Sequence, residues 1–244
     1  MRFLLLPLSL SLLLSSCGKT GVTSSTRTVR KSDTNINSSI RANTVHQPNE
    51  IPDISGLISQ LSSADLRLRP RAISMPNGSV RYTYKKRAGE ADLTLEEIKQ
   101  RMQNPINYEA EQLAITKILN RLTQLGVSVV IGNTHSNQAA GTWNPSTGTI
   151  KLQTSLVQKG SFDFYDTLSH EAIHVAQSCR SGSINGNPSP LGLSLKYSLS
   201  IDTSISHPLY SNDPKENLQM EREAYSHSSE PGYSLVLLDH YCKF

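Results

Sequence analysis

Apolar side chains recur at helical spacing in some stretches and alternate in others, so the chain predicts a mixed α and β domain. Leu57, Ile58, Leu61 and Leu66 fit a short helix packed on a core, and Val80-Arg81-Tyr82-Thr83-Tyr84 alternates as a strand does. Thr94 with Glu97 makes a capping box that starts a helix through about Met102. Asn104-Pro105 then reads as an N-cap and first helical position, opening a helix to about Leu125. Ile115, Ile118, Leu122 and Leu125 share one face of it, and Gly126 ends it.

Val127 to Ile131 is short and β-branched, hence a strand. Ala140 to Trp143 and Thr149 to Leu152 flank Asn144-Pro-Ser-Thr-Gly148 and predict a hairpin. Phe162 to Ser178 is a helix with Tyr165, Leu168, Ala172 and Val175 as its core stripe. Residues 180–213, rich in Gly, Pro and Ser, read mostly as loop. Asp213-Pro214 with Glu216 starts another helix, to about His227. No internal repeat is visible.

Composition divides the 244 residues into three parts. Phe3 to Leu14 is an apolar run behind Arg2, too short for a permanent membrane span, and it marks residues 1–16 as a signal peptide. Residues 17–50 hold few large apolar side chains and many Ser, Thr and Asn, which predicts a flexible tether. A single domain is expected over 51–244, with its central part from about 106. The formal net charge is +4 and no basic run exceeds Lys85-Lys86-Arg87, which argues against a nucleic-acid partner. Nothing in the sequence sets an oligomeric state.

Leu14-Ser15-Ser16-Cys17 resembles the lipobox of bacterial lipoproteins, in which cleavage precedes the cysteine and lipid is attached to it. That resemblance implies an exported protein anchored at the extracytoplasmic face of a membrane through lipid on Cys17. Cys179 and Cys242 are then left in an oxidising setting where a disulfide is allowed. The bridge would contribute roughly 4 kcal/mol on the chain-entropy account; two unpaired thiols are the alternative.

The stretch His170-Glu171-Ala172-Ile173-His174 carries the chemistry. Residues four apart on a helix share a face, so the two imidazoles converge on one point, a spacing suited to zinc. Glu171 beside them reaches a metal-activated water rather than the metal, and can take its proton during attack on a carbonyl. A metzincin extension would need Gly at 177 and His at 180, where this chain has Gln177 and Arg180.

Downstream, Glu221-Arg222-Glu223-Ala224 lies on the helix opened by Pro214. The HExxH helix followed by a Glu-x-x-Ala helix is similar to gluzincin-type zinc metallopeptidases, especially small ones with a Glu-x-Glu-Ala pattern. The resemblance spans about Val127 to His227. It implies an α+β, zincin-like fold, Glu221 as the third zinc ligand with Glu223 as fallback, Glu171 as catalytic base and a peptide or protein substrate. Tyr225 departs from the family's usual Asp or Asn at that place. Tyr225, His227 and Tyr233 are the candidates for transition-state stabilisation, and spacing does not choose among them. A strand beside the metal helix pairs with substrate in such folds; chain order suggests Thr149 to Gln153, an ordinary core hairpin being the other reading. His46, His135, His207 and His240 show no ligand spacing.

Two other functions compete with a peptidase. A zinc-containing surface lipoprotein could bind an envelope component or protein partner without turnover, though binding alone does not require Glu171. A zinc-sequestering lipoprotein would need a His- and acid-rich loop, and 180–213 has too few such residues.

Overall fold

The computed structural model describes residues 53–86, 91–132, 139–207 and 214–243. The segments expected to be a signal peptide and tether, with Cys17 and His46, and also His135 and Asp213, lie outside them. The described residues all belong to one compact unit of mixed α and β structure. No helix among them is long and apolar enough to cross a membrane.

Helix α1 (Ile54–Arg67) is capped by Asp53, whose carboxylate accepts from the Ser55 and Gly56 amides, and buries Leu57, Leu61 and Ala64 at helical spacing. Leu66, expected on that face, is exposed. A small antiparallel hairpin, β1 (Arg71–Ser74) and β2 (Val80–Thr83), follows. Helix α2 (Leu95–Gln103) carries the capping box read from the sequence, Thr94 with Glu97. Helix α3 (Glu109–Gln124) starts later than Asn104-Pro105 predicts. Asn104 instead terminates α2 with extended ψ, the conformation a following proline demands, and the Asn107 side chain accepts from the Glu109 amide. Gly126, at φ +76°, turns the chain out of α3 into β3 (Ser128–Gly132).

Three strands form the second sheet, in the order β3, β5 (Thr149–Gln153), β4 (Gly141–Asn144). β3 runs parallel to β5 with Val129 opposite Ile150, and β4 runs antiparallel with Trp143 opposite the same residue. The predicted hairpin is therefore present. However, β5 is hydrogen-bonded on both sides, so the edge strands are β3 and β4, and β4 is the edge strand packed against α5. Helix α4 (Ser155–Lys159), helix α6 (Leu199–Ile205) inside the expected loop, α7 (Lys215–His227) and α8 (Tyr233–Tyr241) complete the order. Three of these, α4, α6 and α8, were not predicted.

The centre of the fold is α5 (Ser161–Arg180), packed against α1, α3, α4, α7, α8 and β4. Its predicted stripe, Tyr165, Leu168, Ala172 and Val175, is fully buried, and so are Ile173 and Ala176 on other faces. Two long-range ties hold its ends. Its C-terminal end is bridged to the end of α8 by the Cys179–Cys242 disulfide, with Cα atoms 5.1 Å apart. Its N-terminal end has only Gly160 at the cap position, and the cap comes from α1. Asp65 Oδ1 accepts from the Ser161 amide at 2.8 Å, and Oδ2 accepts from Ser161 Oγ at 2.6 Å. A Cβ at position 160 would fall 2.3 Å from that Oδ1, and Gly160 has φ +88°, so glycine is required twice over.

Replacing Asp65 with Ala removes the cap and strands the Ser161 donors it satisfies. We expect Asp65→Ala to lower unfolding free energy by about 2 kcal/mol in urea denaturation. An unchanged midpoint would show that the long-range cap contributes nothing.

Candidate metal centre

His170 and His174, one turn apart on α5, both turn toward α7, where Glu221 meets them. His170 Nε2 lies 3.2 Å from Glu221 Oε2, His174 Nε2 lies 3.4 Å from Oε1, and the two imidazole nitrogens are 3.1 Å apart. Side-chain exposures of 11%, 13% and 18% leave the group reachable from one side only. Three donor atoms of metal-ligating type thus converge.

Each side of the group favours the charged form of the other. Burial opposes charge on His174, but the Glu221 carboxylate, Glu171 and the Gln177 hydrogen bond outweigh it and push the imidazole up to about 9. Burial likewise opposes charge on Glu221, and the two histidines overcome it, holding its carboxyl well below the usual range. A metal entering here exchanges with the proton at His174 Nε2, so its uptake competes with protons.

The choice between Glu221 and Glu223 is made by helix geometry. Two residues along a helix turn the side chain by about 200°, so the pair cannot face the same point. Glu223 is fully buried and its carboxylate accepts from the amides of Leu191, Gly192 and Leu193 at 2.7, 2.8 and 3.2 Å. It also accepts from Gln177 Nε2 at 3.1 Å. Glu223 is therefore an anchor for the 191–193 backbone and not a ligand.

Gln177 joins that anchor to the metal centre. Its Nε2 faces two acceptors, Glu223 and the Met220 carbonyl, so its Oε1 must be the atom 2.7 Å from His174 Nδ1. In the neutral ring Nδ1 then keeps the hydrogen, and Nε2, once its proton is displaced, presents its lone pair to the centre. His170 differs: its buried Nδ1 has no hydrogen-bond partner among the described residues, and its ring packs against Tyr225 with centroids 4.4 Å apart.

Glu171, also buried, faces β4 rather than α7. Burial raises the pKa of its carboxyl, a shift that the His170 and His174 charges and the Trp143 amide reduce and Glu221 reinforces. A Cβ on Gly141 would sit 2.7 Å from Glu171 Oε1 and 2.9 Å from Thr167 Cγ2, so only glycine lets the edge strand come this close to the carboxylate.

A cleft runs over the centre in two lobes that share Ala139, Gly141, His170 and Glu171. The larger, about 530 Å³, is walled by Trp143, Pro145, Asn187, Pro188 and Met220. The smaller, about 240 Å³, is walled by Asp166, Ser204, His207 and Tyr225. Of the three stabilising candidates Tyr225 alone is here, brought by its position one turn after Glu221. His227 is turned away: its ring stacks on Tyr233, and its Nε2 lies 2.8 Å from the Ser194 carbonyl oxygen. Tyr233 is removed with it. Sequence reasoning missed Gln177, whose i+3 spacing from His174 was a usable signal, and Gly141 and His207, for which no spacing existed. Comparison with protein-family models, curated proteins and solved structures finds no match.

Replacing Gln177 with Met keeps its length and removes the lock on His174. Affinity for a divalent metal, read by competition with a chelator, is expected to fall about 10- to 100-fold. Unchanged affinity would show that His174 needs no such partner.

Proposed function

We propose that this protein is a zinc-dependent hydrolase with a zincin-like fold, a peptidase exported and anchored at a membrane by lipid on Cys17. The observation that carries the reading is the convergence of His170, His174 and Glu221 with a fourth group, Glu171, alongside and free of the triad. A tetrahedral zinc ion with bonds of 2.0–2.2 Å holds its donor atoms about 3.4 Å apart; the two imidazole nitrogens are 3.1 Å apart, and one donor atom from each of the three residues lies within 4.8 Å of the others, close enough to share an ion. Two imidazoles and one carboxylate also match the ligand set that leaves zinc a position for water or substrate.

When bound, zinc polarises a carbonyl and draws the pKa of water down to about 7. The chain supplies the rest. Glu171 takes the proton from the attacking water and passes it to the leaving amine; its raised proton affinity suits a group that must hold the proton between transfers. Tyr225, beside His170, offers a hydroxyl toward the developing oxyanion, with His207 across the same lobe. The outer edge of β4, whose Trp143 amide already meets Glu171, offers its remaining backbone groups to an extended peptide, taking the role first given to Thr149 to Gln153. Export is supported by the leader and lipobox, and the Cys179–Cys242 bridge accords with an oxidising compartment.

The test is a comparison of wild type with Glu171→Gln for zinc content and cleavage of a mixed peptide library. The variant is expected to keep its zinc and lose turnover by about 10²- to 10⁴-fold. A wild type that binds no zinc would sink the reading, and zinc bound without turnover in either protein would favour a binding role.

A second variant probes the edge strand. Gly141→Ala is expected to keep zinc while lowering kcat, because the added methyl group must displace Glu171 or Thr167. Unchanged kcat would mean that the approach of β4 to Glu171 does not matter.

A further inference from the structure

At the N-terminal end of α5, far from the acidic side chains of the metal centre, two adjoining depressions share Leu68, Arg69 and Lys85. Around them stand six cations: Arg67, Arg69, Arg71, Lys85, Arg101 and Lys159. Three carboxylates answer them. Asp163 pairs with Lys85, Glu97 lies near Arg101, and Asp65 is engaged in capping α5. Among the described residues the cations outnumber the carboxylates that answer them. Arg69, Arg71 and Lys159 are exposed and make no ion pair among the described residues.

The cations are not alone on this face. Leu66, next to Arg67 at the end of α1, is 57% exposed, and Ile106, 43% exposed, forms part of the wall of the first depression. Exposed aliphatic side chains interleaved with arginine and lysine are what an interfacial surface needs, the apolar groups entering the acyl boundary while the cations meet headgroup phosphates.

We infer that this face docks on an anionic lipid bilayer, with phosphate-bearing headgroups against the arginines and with Leu66 and Ile106 inserted at the interface. The contact is made by the folded domain itself and does not depend on lipid at Cys17 or on the metal centre.

The test uses the full chain carrying Cys17→Ala, so that no acyl chain is attached, with and without Arg69→Gln, Arg71→Gln and Lys159→Gln together. Co-sedimentation with phosphatidylcholine vesicles containing 30% phosphatidylglycerol is compared with pure phosphatidylcholine (roughly physiological salt, about 0.15 M). The leader and the 17–50 segment are identical in both proteins, so they cancel in the comparison. Each cation near an anionic surface is worth about fivefold in affinity, so the triple variant should lose on the order of 100-fold of its preference for the anionic vesicles. Leu66→Gln with Ile106→Gln should weaken binding to both vesicle types, with the thermal unfolding midpoint of every variant kept near wild type. An unchanged preference in the triple variant overturns the proposal. So does complete competition by inorganic phosphate at constant ionic strength, which would mark a site for the free anion instead.

Discussion

A helix buried on nearly every side must satisfy most of the polar groups it carries inward, and α5 carries many, His170 Nδ1 alone of them being left without a partner among the described residues. Unpaired, a buried polar group costs on the order of 1–3 kcal/mol, so the surrounding elements are arranged as partners. Ser169 reaches Ser234 on α8, Ser178 receives the Trp143 indole N–H from β4, and Tyr165 both donates to the Glu230 carbonyl and accepts from the Gly232 amide. Asp65 closes one end from α1. The architecture of the domain follows from supplying a central helix whose polar residues, His170 and Glu171, cannot be replaced by apolar ones without losing the candidate site.

That arrangement links the metal centre to the wall of its cleft. Gln177 touches His174 on one side and Glu223 on the other, while its backbone carbonyl accepts from the Ser189 amide. Glu223 in turn holds residues 191–193. Asn187 and Pro188, which line the larger lobe, therefore belong to a segment pinned to the residue that orients a ligand. Geometry at the metal and shape at the cleft are set by one group of hydrogen bonds.

Much of this was legible along the chain where the signals are local. The capping box of α2, the Gly126 terminator, the β4–β5 hairpin and the five residues around Glu171 each depend on neighbours within a few positions. The start of α3 was misplaced because Asn104 can serve either as a cap or as the extended residue before proline, and only its packing decides. β5 was assigned to the cleft because chain order does not reveal that β3 returns parallel on its far side. Gly141, Asp65 and Glu223 act across 30, 96 and about 30 positions, and separations of that kind leave no periodic trace.

The two ties on α5 have a consequence for motion. A helix normally loosens from its ends, and here one end is capped from a distant helix while the other is bridged covalently to the end of α8. Local fraying cannot travel inward to His170 and His174, so their amides open to solvent only when the whole domain does. Hydrogen exchange around His170 and His174 then reports global stability, and the candidate metal centre is also the last part of the domain to come apart.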